Sequence, residues 1–241
     1  MFFKKKKKKF EVEELDIKFN GDFENNNLSR NLKIAFMNSL NKETNIPDWI
    51  LTMDGMSGRK YRRFINNFFS INYDNRYLEV GSHTGSTACS AIANNKIKIL
   101  CIDNWSQFGD VKSIFFKNIN KLKNKEIDFN FIEKDFKTVD EIGLGFFNVY
   151  LFDGPHEEND HYLSIKKFIS VLDNYFLFIV DDWNHLNVRS GTLKSLKELK
   201  INIISEIQIF TSSKNIQPKL HGENSDWHDG YLLAVCKKNI N

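Results

Sequence analysis

Three aspartates stand where a parallel sheet would bring them together. "LFDGPHEENDHY" follows one short apolar run and "IVDDWNH" follows the next. In open α/β sheets ligands bind beyond the carboxyl ends of the strands, so neighbouring strand ends would gather Asp153, Asp181 and Asp182 into one small volume. Three carboxylates that close raise one another's pKa unless a cation lies between them. All-oxygen ligation favours a hard ion, and Mg²⁺ is the expected one. A plainer reading competes with this. Asp182 or Asn184 would only cap the helix after "DDWN", Asp153 would only support its loop, and Trp183 is either a pocket wall or core packing.

Upstream, "YLEVGSHTGST" sets Gly81 and Gly85 four residues apart after an apolar run. The dinucleotide fingerprint needs a glycine where His83 stands, because the backbone must approach a pyrophosphate there. No Gly-Lys-Ser/Thr P-loop is present either. Glu79-x-Gly81-x-x-x-Gly85 therefore suits a nucleoside ligand without phosphates. Asp103 ends the next apolar run, at the position from which an acid accepts hydrogen bonds from a ribose diol. Asn104 and Trp105 follow, and Trp105 could stack on a base. Asp135, in "EKDF", could accept an adenine amino group.

These residues need a scaffold that aligns them, and the apolar rhythm supplies one. "RYLEV", "KIKILCID", "IDFNFIE", "FFNVYLFD" and "YFLFIVDD" alternate with amphipathic stretches, which predicts βαβ units and a parallel sheet. "INIISEIQIF" and "GYLLAVCKK" lie too close for a crossover helix and predict an antiparallel pair at the end of the sheet. Residues 1–45 are polar and predict a basic tail and a helical extension built on "LSRNLKIAFMNSL"; residues 46–241 predict one α/β domain.

The formal net charge of +3 is too small for a surface built around a polyanion, and Lys4–Lys9 alone exceed it. Such a block reads as a solvated tail more readily than as a membrane or nucleic-acid patch. No apolar h-region follows it and no run is long enough to span a bilayer, so a cytoplasmic protein is expected. Cys89, Cys101 and Cys236 are odd in number and set in apolar contexts, which predicts reduced, buried thiols.

Taken in order, Glu79-x-Gly81-x-x-x-Gly85, Asp103, Asp135 and Asp153 resemble the class I S-adenosylmethionine (SAM)-dependent methyltransferases over roughly residues 55–238. The resemblance implies a Rossmann-like doubly wound sheet of seven strands with the last antiparallel. It also implies SAM held by Glu79, Gly81, Ser82, Gly85, Asp103, Asn104, Trp105 and Asp135. The second cluster is similar to the metal-dependent O-methyltransferases of sugars and catechols, in which Asp153, Asp181 and Asp182 would hold Mg²⁺. In one sugar-modifying group of that branch a D-x-x-H histidine is the general base, which makes His156 the candidate, with Asp153 beside it and His161 as the fallback. "GMSGRK" resembles a segment of small microbial and viral methyltransferases, so Met56, Ser57 and Gly58 could line the pocket of the methionine portion. Arg59, Lys60, Arg62 and Arg63 read as a solvated basic face. Trp227 and His228 precede the last strand with no role specified by spacing.

The leading expectation is Mg²⁺-assisted methylation of a hydroxyl on a small-molecule acceptor such as a sugar. A nucleic-acid methyltransferase is the alternative, motivated by the lysine block and "GRKYRR", although "DGPH" stands where base-amino methylation usually has an N-P-P-Y type segment. A non-catalytic SAM-binding module and a nicotinamide oxidoreductase are less favoured, the latter because of His83. The N-terminal helix could serve a homo-oligomer as readily as it could cover the pocket.

Overall fold

The computed structural model describes residues 15–109, 111–212 and 218–239; the Lys4–Lys9 block lies outside them. Alternating side chains along the strands divide the core in two. On β2 (Arg76–Val80), Tyr77 belongs to one buried cluster, whereas Leu78 and Val80 belong to the other. The same alternation runs through β3 (Ile97–Asp103), β5 (Phe147–Phe152) and β6 (Leu172–Asp181). Strands buried on both faces require helices on both faces. The first cluster is closed by α1 (Asn27–Leu40), α2 (Asp48–Leu51), α3 (Arg59–Ile71), α4 (Ser86–Ile92) and α5 (Lys112–Asn120), and the second by α6 (Glu158–Phe168) and α7 (Leu186–Glu198).

With β4 (Ile127–Glu133), β7 (Asn202–Phe210), β8 (Tyr231–Lys237) and an N-terminal β1 (Asp16–Gly21), the sheet order is β1-β7-β8-β6-β5-β2-β3-β4. The five strands from β6 to β4 are parallel to one another, and β8 runs antiparallel between β6 and β7. The chain winds outward from β2 to β4, then returns to start β5 on the other side of β2. This reversal is the topological switch point, where two neighbouring loops diverge and open a crevice.

The sheet has eight strands where seven were expected, and the β7/β8 pair is not its edge. β1 adds outside β7, antiparallel, with Asp16 opposite Phe210. "DIKFNG" is almost wholly exposed, so it carries no alternation of burial for a sequence reading to detect. The predicted helix follows it. Asn26 accepts hydrogen bonds from the amides of Leu28 and Ser29 and caps α1, whose Phe36 stacks on Trp227 at 5.3 Å.

The basic face expected on α3 is not solvated as a whole. Arg62 is fully buried and donates to the carbonyls of Ile50 (2.8 Å), Met53 (2.7 Å) and Gly55 (3.1 Å) and to Ser57 Oγ (3.0 Å). A buried guanidinium is tolerable only when its donors are satisfied in this way. Lys60 pairs with Asp226 at 2.8 Å, and exposed Arg59 reaches the carbonyl of Glu223. The segment fastens the chain ahead of β2. All three cysteines are free and buried, as their apolar settings predicted.

Gly81 marks the tightest point of the switch. Its φ is +84°, and a Cβ there would come within 1.7 Å of the Asp153 carbonyl oxygen. Gly143 has a similar φ of +83° with nothing within 4 Å. Gly143→Ala should therefore cost only the left-handed conformation, about 1–2 kcal/mol. Gly81→Ala should exceed that by at least about 2 kcal/mol, because the clash with backbone cannot relax. Urea midpoints of the two variants measure the difference.

Candidate active site

A cleft lies over the carboxyl ends of β2, β3, β5 and β6 and spans both predicted clusters. Gly81, Asp103, Asn104, Trp105 and Asp135 line one end. Asp153, His156, Asp181 and Asp182 line the other.

At the first end the glycine loop is held by Asp103. Its Oδ2 accepts from the amides of Ser82 (2.7 Å) and His83 (3.0 Å), and its Oδ1 accepts from the amide of Trp105 (2.8 Å). A carboxylate offers roughly four acceptor positions, so room for one further bond remains. Trp105 stacks on Phe131 at 5.4 Å and 13°. Its indole Nε1 is buried without a protein partner. Asp135 caps the short turn Phe136–Thr138 through the amide of Lys137. His83 replaces the missing glycine at φ +47°, faces the cleft and sits edge-on to Phe108.

Glu79, Ser82 and Gly85 do not line the cleft. Gly85, at φ +85°, turns the chain into α4, where a Cβ would touch the Phe115 ring. Glu79 points into the face covered by the N-terminal helices and accepts from Tyr77 Oη at 2.8 Å, while its Oε1 is buried with no partner. Burial pushes its carboxyl up to about 7. From "GMSGRK" the cleft takes Met56 alone. Ser57 turns inward to Ser86 Oγ at 2.8 Å, and Gly58 abuts the backbone of Asp226.

At the second end, burial and the neighbouring negative charge of Asp181 and Asp182 push Asp153 well above the carboxylate range. Burial, then Asp182, does the same to Asp181, whose Oδ1 has no partner. Burial also raises Asp182, an effect partly offset by His156, whose Nε2 lies 3.3 Å from Asp182 Oδ2. Asp182 itself has φ +56°, and its carboxylate lies between His156 and the His185–Asp229 pair at the start of α7. His161 is fully buried against Phe152, away from the cleft, and burial lowers it to about 3. It is therefore a neutral core residue.

Neither Asp182 nor Asn184 caps α7; the residue at its cap is His185, which makes no side-chain cap bond. Asn184 instead donates to Asp229 Oδ1 and Thr211 Oγ1 and accepts from the amide of Thr211. His185 bonds the other Asp229 oxygen at 3.1 Å. Trp183 is core, with 1% of its surface exposed. His228 joins the cleft beside Asp181 and Asp182. A sequence signal for it existed: an antiparallel strand enters the sheet at its carboxyl edge, and Tyr231 pairs with Asp181.

An oxygen of each of Asp181 and Asp182 and a ring nitrogen of His228 lie within 4.8 Å of one another, a spacing that suits a divalent cation; Asp153 is not in this group, and Asp181 Oδ1 is an orphaned acceptor. Burying three mutually repelling carboxylates is costly unless they are protonated or share a positive ion.

Glu79 yields a stability prediction. Its folded pKa of about 7 exceeds the ordinary 4.5. The stability it contributes is fully present below pH 4.5 and is lost as pH rises to about 7, because the unfolded state ionises first. Glu79→Gln keeps an acceptor for Tyr77 and removes this penalty. Its stability relative to the native protein should rise between pH 4.5 and 7, by up to about 3 kcal/mol, and then level off. Paired thermal melts across that range measure it.

No protein-family model matches the sequence, and no curated protein is similar enough to be matched. Solved structures match in fold. The O-methyltransferase from Bacillus cereus in complex with SAH aligns with a TM-score of 0.51 and 10% identity, over 86% of this chain and 91% of that one. The cofactor-bound protein Rv0187 from MTB gives 0.54 and 13%, over 87% and 91%. The O-methyltransferase TomG from Streptomyces achromogenes, involved in tomaymycin synthesis and in complex with SAM, gives 0.50 and 12%, over 86% and 89%. With its parallel strands, switch-point cleft and antiparallel β8, the chain has the Rossmann-like fold of the class I SAM-dependent methyltransferases.

Proposed function

We propose that this protein is a SAM-dependent methyltransferase that methylates a hydroxyl oxygen of a small molecule, a sugar being the leading candidate, with Mg²⁺ held by Asp153, Asp181 and Asp182. The observation that carries the reading is the continuity of the cleft. One wall offers a ribose-type acid and an indole, and the adjoining wall offers carboxylates and a histidine.

Methyl transfer breaks the sulfonium S–CH₃ bond as the acceptor oxygen forms its O–CH₃ bond, and the hydroxyl proton must leave. The products are the methyl ether and S-adenosylhomocysteine (SAH). Asp103 and Trp105 bind the nucleoside end: the acid accepts from the ribose, and the indole offers a flat apolar surface to the base. His156 and Asp182 act as one base. The carboxylate orients the imidazole and stabilises the positive charge that appears when the pair takes the proton. A bound Mg²⁺ would lower the pKa of the acceptor hydroxyl and relieve the repulsion among the three acids. Asn187 Nδ2 donates to the His156 carbonyl and ties the base loop to α7.

Thermal stability with SAM, SAH or NAD, each with Mg²⁺ or EDTA, tests the reading. At about one hundred times its Kd a ligand adds about 2.7 kcal/mol. Shifts are expected with SAM and SAH and not with NAD; no shift with either S-adenosyl compound would overturn the cofactor assignment. Asp153→Ala should keep the SAM shift, lose the Mg²⁺ shift and lose metal-dependent methylation of hydroxylated acceptors. Equal turnover in Mg²⁺ and in EDTA would remove the metal from the mechanism.

A further inference from the structure

His228 occupies a place that invites a metal-ligand assignment. One of its ring nitrogens and an oxygen from each of Asp181 and Asp182 lie within 4.8 Å of one another. The hydrogen bonding of the ring speaks against ligation. His228 Nδ1 accepts a hydrogen bond from the amide of Gly222 at 2.9 Å. An amide N–H can only donate, so Nδ1 carries the lone pair, and in the neutral ring the proton sits on Nε2. The nitrogen with a free lone pair is already used, and the other is a donor. Neither is ready to ligate.

The surroundings fix this arrangement. The His228 amide donates to Ser225 Oγ at 2.9 Å, and its carbonyl accepts from Thr211 Oγ1 at 2.8 Å. The residue has φ +46°, a conformation that a non-glycine side chain holds only when its neighbours impose it. Only 5% of its surface is exposed, yet it lines the cleft. Among the described residues no protein group bonds Nε2.

We propose that His228 is a positioning residue whose Nε2–H donates a hydrogen bond to an oxygen of the methyl acceptor, and that it is not a ligand of the metal. The inference rests on the methyl-transfer reading of the cleft. It narrows the acceptor to compounds that offer a second lone-pair oxygen close to the reacting hydroxyl. Beside it, the acids and the His156–Asp182 pair offer proton acceptors. His228 would be the neutral donor of this end, so one acceptor oxygen would be held by Nε2–H as the neighbouring, reacting hydroxyl gives up its proton.

Two substitutions separate the two ring nitrogens. In His228→Asn the side-chain oxygen stands near the place of Nδ1 and retains the Gly222 bond, with no donor at the Nε2 position. In His228→Gln the amide nitrogen reaches toward the place of Nε2 and restores a donor. Long-range ¹H–¹⁵N spectra of histidine-labelled protein, assigned with these variants, report the tautomer directly. The expected spectrum shows Nε2 protonated and Nδ1 unprotonated, unchanged when Mg²⁺ is added to the SAH complex. An Nδ1-protonated ring, or a His228 signal that moves to the metal-bound range with Mg²⁺, would overturn the proposal.

Catechol, which presents two adjacent oxygens, is the acceptor probe. Added to the SAH complex it should shift His228 Nε2, and its affinity should fall at least tenfold in His228→Asn and recover in part in His228→Gln, with SAH affinity within twofold throughout. No shift at Nε2, or equal affinity in the Asn variant, would overturn the positioning role. Failure of SAH itself to bind the native protein would instead strike the methyl-transfer reading beneath it.

Discussion

The site depends on the close approach of two backbone segments at the switch point. The amide of Gly81 donates to the Ile102 carbonyl at 2.9 Å, and the amide of Asp153 donates to the Val80 carbonyl at 2.9 Å. Gly81 then passes so near the Asp153 carbonyl that no side chain fits. The ends of β3, β2 and β5 are thereby tied at hydrogen-bond distances, and Asp103 adds its bonds to the loop amides above them. The floor of the cleft is backbone held by backbone. Its two ends inherit their spacing from that floor, so side chains that never touch one another are kept in a fixed relation.

Electrostatics on this floor is graded from satisfied to unsatisfied. Asp229, itself buried, has both oxygens employed by Asn184 and His185. Asp182 has His156 as a partial counter-group. Asp181, the innermost, keeps an orphaned oxygen, and behind it Tyr61 and Tyr231 stack at 3.9 Å with buried hydroxyls that have no protein partner. Burial, followed by the negative charge of Asp181, pushes both phenols well up, so they stay protonated as donors. A core assembled only for stability would pair such groups or replace them with apolar ones. Asp181 thus keeps an unpaired acceptor at the cleft, with two unpaired phenols buried in the core behind it.

Legibility in the sequence followed the physical origin of each feature. The parallel strands were visible because burial on both faces makes them continuous apolar runs, and the acids at their ends were visible because strand ends are where those runs stop. The left-handed residues at Gly81 and Gly85 were visible as glycines, whereas His83, Trp105 and Asp182 hold similar conformations with side chains that give no such sign. β1 was hidden because an exposed edge strand has no buried face. Arg62 was misread for a related reason: the helical pattern places it among charged neighbours, and only the carbonyls of α2 and the turn after it explain its burial. His228 lay forty-six residues beyond Asp182, and its place depends on the direction in which β8 enters the sheet.

A chain with 10–12% identity to solved O-methyltransferases can share their fold for the same physical cause. What the fold requires is sparse: alternation on the central strands, a glycine at the crossing, acceptors at the strand ends and a strand that can enter antiparallel beside β6. Core positions tolerate many combinations of similar volume, so identity can decay while packing persists. Chemistry is less tolerant, because it depends on which atoms face the cleft and in which protonation state. Glu79 shows the difference. It stands at a motif position yet bonds Tyr77 in the interior, whereas His228, outside every recognised motif, faces the acids. The orientation of side chains at this cleft therefore carries the functional argument, and the fold supplies only the place where it can be made.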